Sequence, residues 1–342
     1  MTLTNLRLLI QHLGFVIFTY GGYLRISLGG YLPCLSCPFI YSCTGYCYLM
    51  GFQRSLGLLL LPLSSAFGGP NPMDQVWNNV LNLFSGLAIF IILVIILGKS
   101  WCGWLCPFGL FQDWITRLRK AFGLRESEML LKHKLKLSWV KYAVLVYLII
   151  TPLMVSLGWL STEFILAFCN ICPAKAIMPL FGGDVQYLAV DISSTVAMVF
   201  SILLLVITAG MLVGMFFKER FFCLFCPMMA LINLLKPFYL LKIIKEPKAC
   251  HGCGNCRRTC AMDNETIYRE RVKANVYDSD CMGCFKCSES CAADQSLAVK
   301  LGPFKIFSSS RRYAARLFTR TRKAKPLTAP VSTASTPSGN KA

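Results

Sequence analysis

One cysteine spacing, used twice, constrains this chain more than any other feature. Cys250, Cys253, Cys256 and Cys260 follow the order C-x2-C-x2-C-x3-C, and Cys281, Cys284, Cys287 and Cys291 repeat it 31 residues later. Three thiols two residues apart wrap around one iron–sulfur cube, while the distant fourth thiol reaches the other cube. The spacing assigns one [4Fe-4S] cluster to Cys250, Cys253, Cys256 and Cys291. It assigns a second to Cys281, Cys284, Cys287 and Cys260. Gly252, Gly254 and Gly283 lie inside the loops, where they let backbone amides approach the sulfurs. A zinc ribbon also uses C-x2-C, but in two pairs per ion rather than in triples with a distant cap. Bacterial ferredoxins place proline after the fourth cysteine. Here Ala261 and Ala292 stand in its place, which removes no ligand.

Upstream the composition is different. Residues 79–98, 140–160 and 194–217 are apolar runs of the roughly 20 residues that a helix needs to cross hydrocarbon. Residues 8–30 form a weaker run holding His12, Arg25 and several glycines. The run 55–67 is short and broken by Pro62, as a re-entrant or interfacial segment would be. The expected fold is an α-helical multi-pass membrane protein of about four spans, five being the alternative, with a C-terminal α+β ferredoxin-like module. A signal peptide competes for the first run, but no small-x-small site follows it. Of the 342 residues 55% are hydrophobic and only 15% charged, against about 25% charged in soluble domains. A purely soluble enzyme and a disordered basic protein are both excluded.

Basic residues orient the spans, because they stay on the cytoplasmic side. Lys99 to Lys141 carries nine Lys/Arg against three acids, and Lys218 to Lys248 six against two. Residues 159–193 hold one lysine, Lys175, and three acids. The 99–141 loop and everything after 218 are therefore expected in the cytoplasm. Trp77 and Trp159 would mark the outer interface, and Trp101, Trp104, Trp114 and Trp139 the inner one.

The other ten of the 18 cysteines form pairs: Cys34–Cys37, Cys43–Cys47, Cys102–Cys106, Cys169–Cys172 and Cys223–Cys226. Four pairs run directly into proline: Pro38, Pro107, Pro173 and Pro227. Such a turn places two thiols together and starts the next segment at the fixed φ of proline. Cys102, Cys106, Cys223 and Cys226 follow spans at the cytoplasmic level and form a candidate inner metal site. Cys34, Cys37, Cys169 and Cys172 form a candidate outer site, unless Cys34, Cys37, Cys43 and Cys47 make one alone. For the outer thiols a cluster, copper or disulfides all remain open.

The segment WCGWLCPFGLFQDW (101–114), the later CLFCP (223–227) and the tandem repeat together resemble the membrane-bound polyferredoxins of the NapH, NosR and CcoG type. The likeness runs from residue 77 to 300. It implies an electron-transfer protein of the bacterial cytoplasmic (inner) membrane with cytoplasmic clusters. NapH-like members pass quinol electrons toward periplasmic reductases, and CcoG-like members act on copper. The second motif departs from the family pattern, being C-x2-C-P rather than C-x3-C-P, and the cysteines at 34–47 and 169/172 are additional. No S-G-A-T motif is present, so no covalent flavin is implied. Three histidines (His12, His133 and His251) and no C-x-x-C-H leave no basis for haem.

The expected organisation is a transmembrane domain over 1–240, a ferredoxin-like domain over 241–303 and a basic, disordered tail over 304–342. From Arg311 onward the tail holds seven closely spaced basic residues and no acid, as a segment that binds anionic lipid rather than nucleic acid would. The expected function is electron transfer between a quinone pool or membrane partner and two cytoplasmic [4Fe-4S] clusters. The extra thiols leave room for one or two further iron–sulfur or metal centres. The chain would serve as an electron-carrier subunit, with a quinol dehydrogenase component as one form. A copper reductase or assembly factor and a thiol-based redox sensor are the alternatives. Lipid, redox partner proteins and quinone are the expected partners.

Overall fold

Among the described residues, three helices are long and apolar enough to cross a membrane: Met73–Leu97, Ser138–Ser156 and Thr195–Phe217. The computed structural model describes residues 2–24, 30–33, 35, 47–59, 72–124, 131–272 and 274–315. Cys34, Cys37, Cys43, Arg25, the break at Pro62 and the tail from 316 lie outside these residues.

The chain runs through α1 (Leu3–Tyr20), α2 (Tyr48–Gly57) and α3 (Pro72–Leu97), then a π turn (Trp101–Leu105) into α4 (Pro107–Ala121). It continues with α5 (Leu131–Ser156), α6 (Pro173–Ile177), α7 (Thr195–Phe217) and α8 (Pro227–Leu234). The ferredoxin unit then comprises β1 (Leu241–Lys245), α9 (Asn255–Arg258), α10 (Thr266–Arg269), α11 (Lys286–Ser290), β2 (Leu297–Leu301) and β3 (Phe304–Ser308). Its antiparallel sheet has the order β1-β2-β3, with Ile243 opposite Val299 and a register shift at Val299/Lys300. The third strand lies beyond residue 303, so the unit extends past the boundary read from the sequence.

The ends of α3 and α7 and the start of α5 share one face, and the ferredoxin unit sits on it. The Leu240 N–H donates to the Ile95 carbonyl at 2.9 Å. The Lys99 ammonium donates to the carbonyls of Asp278 (3.0 Å) and Ser279 (2.6 Å). Lys141 pairs with Asp280 at 2.6 Å, and Lys218 pairs with Asp263. At the other end of the chain, the Thr4 N–H donates to a Glu289 carboxylate oxygen at 3.0 Å. The basic residues near these helix ends thus hold the acidic surface of the ferredoxin unit.

Two segments break the simple pattern of crossings. α1 packs along α4 and the π turn near that face, burying Arg7 and Gln11. α2 lies farther in: the Tyr48 ring stacks on Phe90 with centroids 4.1 Å apart, and the Asn79 side chain donates to the Leu58 carbonyl. Phe90 is seven residues before the end of α3, about 10 Å along its axis. The connection between α5 and α7 also turns inward, packing Cys169–Ile177 along α7. There Phe181 meets Phe15, Phe111 and Trp114 at centroid distances of 5.1, 6.1 and 5.9 Å.

The tryptophans divide differently from the expected belt. Trp77, Trp139 and Trp159 are exposed. Trp101 is buried and donates to the Leu93 carbonyl, while Trp104 donates to the Gly283 carbonyl at 3.0 Å. Trp114 donates to His12 Nε2 at 3.3 Å. These three rings pack protein against protein.

Candidate metal centres

The three described Cys-Pro pairs share one local geometry. Cys106, Cys172 and Cys226 each occupy the N-cap of the following helix, with φ/ψ of −62/117°, −78/123° and −65/117°. Proline at the next position needs no N–H partner and carries a helical φ, so it starts α4, α6 and α8. The one-residue difference between C-x3-C-P and C-x2-C-P is absorbed just upstream. Cys102 lies in the π turn, where the Cys106 N–H reaches the Trp101 carbonyl at 3.0 Å. Cys169 and Cys223 lie in tighter 3-10 turns.

Cys102, Cys106, Cys223 and Cys226 converge between α4, α8 and the ferredoxin unit. Each thiol is pushed up by burial, and the sulfurs act electrostatically on one another. The Gln112 amide donates to Cys223 Sγ at 3.7 Å, and its oxygen accepts the Phe222 N–H at 3.2 Å. Arg220 stands over the group in a left-handed backbone conformation (φ 56°), fully buried. Its guanidinium makes a two-point pair with Asp113 at 2.8 and 2.6 Å, and Arg7 approaches the same carboxylate at 3.5 Å. Burial raises the Asp113 pKa, but Arg220 and then Arg7 outweigh it and hold the carboxyl at about 2.

In the ferredoxin unit Cys250, Cys253, Cys256 and Cys291 line one small cavity. Gly252 and Gly254 border it with φ of 68° and 73°. Cys281 feels Cys284 and Cys260, and Cys287 feels Cys281, Cys284 and Cys260. Cys287 also feels Cys256 of the first set, so the two groups adjoin. The Gly283 and Asn264 N–H groups point at Cys281 and Cys260 sulfurs at 3.4 and 3.3 Å. Among the described residues no three His, Cys, Asp or Glu close on a point as a single ion requires, and this holds for all eight of these cysteines. A multi-iron cube holds its thiolates farther apart than one ion does, and so fits this spread.

The π turn and the second ferredoxin loop touch directly. A β-carbon at Gly103 would stand 2.6 Å from the Met282 oxygen and 3.2 Å from the Cys284 nitrogen. One at Gly283 would stand 2.8 Å from the Ser100 nitrogen. Lys99 N–H donates to the Tyr277 hydroxyl at 3.0 Å beside them. Glycine is required on both sides of this seam, and φ at Gly283 is 66°.

Each thiol group has its own cation. Lys245, buried and held by the carbonyls of Ile267, Tyr268 and Glu270, faces Cys256, whose thiol burial pushes up to about 11. Lys99 faces Cys281, Arg220 faces the inner group and Lys175 faces Cys172. Burial pushes Lys99 itself down to about 8, against the pull of the Cys281 sulfur. Buried thiolates around iron need compensating charge nearby, since water is excluded. Counting lysines and arginines along the sequence locates them but does not single out these four.

Of the expected outer site, Cys169 and Cys172 are described and share a cavity with Cys47. His12 has both ring nitrogens engaged, Nδ1 with the Leu8 carbonyl at 2.6 Å and Nε2 with Trp114.

Known proteins resemble this chain over its cysteine-rich stretches. The 4Fe-4S binding domain family matches residues 79–125 and 200–244, which include both inner Cys-Pro pairs. The 4Fe-4S dicluster domain family matches residues 242–292. An uncharacterized protein of Methanocaldococcus jannaschii is 26% identical over 190 residues, 54% of this chain and 68% of the relative. YccM of Escherichia coli, named for electron transport, is 28% identical over 51% of this chain and 44% of its own length. NirI of Paracoccus denitrificans is 27% identical over 47% of this chain and 21% of its own. The chain therefore spans about two thirds of the first relative and less than half of the other two. No solved structure matches it. With three apolar helices among the described residues, two kinds of 4Fe-4S domain and a relative named for electron transport, the chain resembles the membrane polyferredoxins.

Proposed function

We propose that this chain carries electrons between a cytoplasmic ferredoxin module and quinone or a partner protein in a bacterial cytoplasmic membrane. One observation carries this reading: Gly103, between Cys102 and Cys106, lies against the backbone of Cys284. Two thiol groups held by one backbone seam are close enough to work in series. A [4Fe-4S] cluster supplies one-electron transfer when bound. In this reading Cys250, Cys253, Cys256 and Cys291 hold one, Cys281, Cys284, Cys287 and Cys260 another, and Cys102, Cys106, Cys223 and Cys226 a third. Both inner pairs lie in stretches matched by a 4Fe-4S binding domain, which favours iron over copper there. The buried cations lower the cost of negative charge in each group, and the packed aromatic residues keep water out.

Four crossings fit this function, with α1 and α2 together making a broken first one. The basic ends of α3, α5 and α7 support a cytoplasmic ferredoxin unit. Deeper in, a cavity of about 350 Å³ between α2 and α3 is lined by Tyr31, Tyr48, Arg54, Asn79 and Asn82. The Tyr48 hydroxyl is buried with no hydrogen-bond partner among the described residues. Aromatic and aliphatic walls mixed with polar groups, the Tyr48 hydroxyl unused among them, suit a quinone ring.

The test is iron and acid-labile sulfide per chain on anaerobically purified protein, with EPR of the reduced sample. About twelve irons or more support the three groups. About eight would confine clusters to the ferredoxin unit and defeat the membrane path. Replacing Cys102 and Cys223 by serine should remove about four irons and spare the ferredoxin signals.

A further inference from the structure

The connection between α5 and α7 repeats the construction of the inner group at a second place. In the inner group a C-x2-C-P turn, Cys223 to Pro227, places its first cysteine against a buried glutamine, Gln112. In the second place the turn Cys169 to Pro173 puts Cys169 against another buried glutamine, Gln53 of α2. The Cys169 thiol donates to Gln53 Oε1 at 3.1 Å. Gln53 is fully buried, and its Nε2 has no hydrogen-bond partner among the described residues. An orphaned amide donor beside a thiol is costly unless the sulfur, or something bound to it, accepts from it.

Cys47 completes the group. It precedes α2, lines the same cavity of about 220 Å³ as Cys169 and Cys172, and acts electrostatically on Cys172. Leu35 lines that cavity as well, and its backbone N–H also faces Cys106 of the inner group. One residue thus separates the two sets of thiols. Lys175 supplies the cation: it borders the cavity, acts on Cys172 and is held by Asn170 at 2.9 Å. It is the single lysine of a connection that otherwise carries acids. Lys175 also stands over the Tyr187 ring, 5.2 Å from its centroid, and so brings a fixed positive charge to the edge of this thiol cavity.

We infer that Cys47, Cys169 and Cys172 hold a further iron–sulfur cluster inside the membrane domain, with Gln53 donating to its sulfur. This deepens the electron-transfer reading and rests on it. The site lies outside every stretch matched by the 4Fe-4S families. The three thiols line one cavity of about 220 Å³, and a copper measurement separates an iron–sulfur cluster from a copper ion there. Tyr48, the residue after Cys47, borders the proposed quinone cavity. The thiol groups therefore line up from the ferredoxin unit, through the inner pairs, to the edge of that cavity.

The experiment uses the full chain, purified anaerobically in detergent, and measures iron, sulfide and copper together with EPR. Cys47→Ser and the double change Cys169→Ser/Cys172→Ser should each lose about four irons per chain. The ferredoxin signals and those lost in Cys102→Ser/Cys223→Ser should persist. Unchanged iron in both variants overturns the inference, as does copper in the parent that falls in these variants alone. A parent with about twelve irons, four of which depend on Cys102 and Cys223, sinks this site but keeps the electron path. A parent with about eight irons sinks both. If the serine variants fail to fold, Gln53→Leu retains every thiol. It should keep its iron and lower the midpoint potential of one EPR signal, because hydrogen bonds to sulfur favour the reduced form. Unshifted potentials for every signal overturn the inference.

Discussion

Gly103 lies so close to Cys284 that a side chain cannot be added without moving one of them. A β-carbon there would stand 3.2 Å from the Cys284 nitrogen and 3.3 Å from its α-carbon, and nearer still to the Met282 oxygen. These are backbone atoms on both sides, so the seam cannot yield by a rotamer change. Gly103→Ala should therefore cost about 2 kcal/mol, as overpacking does. It should open the distance between the inner thiols and the second ferredoxin loop. The expected result is full iron content with electron delivery from reduced ferredoxin unit to a quinone analogue slowed at least tenfold. Stopped-flow reoxidation measures this directly, and an unchanged rate with a lowered melting temperature would show that the seam serves stability only.

The ferredoxin unit is docked by buried ion pairs. Lys141 and Asp280 are both largely withdrawn from water and meet at 2.6 Å. Removing one partner strands the other charge, which typically costs about 3–5 kcal/mol. Lys141→Met should destabilise by that order and make the ferredoxin unit more sensitive to protease. The double change Lys141→Met/Asp280→Leu should recover most of the loss. Thermal unfolding in detergent, followed by the bleaching of cluster absorbance, separates the three proteins.

These pairs show where a linear reading runs out. The cysteine repeat, the three long apolar helices and the Cys-Pro turns are local, so spacing and hydropathy reveal them. Lys99, Lys141, Lys218 and Arg220 are countable as basic residues at helix ends, and that count orients a membrane protein. Nothing local says that each meets a particular carbonyl or carboxylate more than forty residues away. The same holds for Cys47. By position it belongs to a connection before the first strong span, yet Tyr48 stacks on Phe90 well inside α3. Hydropathy averages over a whole crossing, whereas α1 and α2 are 18 and 10 residues long and a cysteine-rich stretch of sequence lies between them. The third strand is missed for a related reason: Phe304–Ser308 is short and exposed, and only its pairing with β2 makes it a strand.

Arg220 joins charge to conformation. It adopts φ 56° without being glycine, a strain of about 1–2 kcal/mol, and its guanidinium is held by Asp113. Arg220→Lys keeps the charge but cannot make the two-point pair, so the inner thiols should lose iron partially. Arg220→Met leaves Asp113 buried beside the thiols with the looser contacts of Arg7 at 3.5 Å and the Gln11 amide at 3.4 Å. It should lose most of the inner iron, and adding Asp113→Asn should restore part of it. Iron per chain across the series is the measurement, and equal iron in all four proteins would rule out Arg220 as the counter-charge.

Tyr48 offers a test in which stability and function move in opposite directions. Its ring is locked between Phe90 and Phe52, with centroids 4.1 and 6.0 Å away, so Tyr48→Phe preserves the packing. The hydroxyl is buried without a partner among the described residues, and such a group costs about 1–3 kcal/mol. Deleting it should therefore leave the protein as stable as before or raise its melting temperature. If the hydroxyl waits for a quinone oxygen, the same change should weaken binding of a quinone analogue about tenfold, since that bond is worth roughly 1.5 kcal/mol. The cluster content should not change in either case. A gain in stability with unaltered quinone affinity would place the quinone elsewhere and leave the cavity between α2 and α3 a packing defect. A loss of affinity without a loss of stability would make Tyr48 a quinone contact, one residue from Cys47 of the neighbouring thiol cavity.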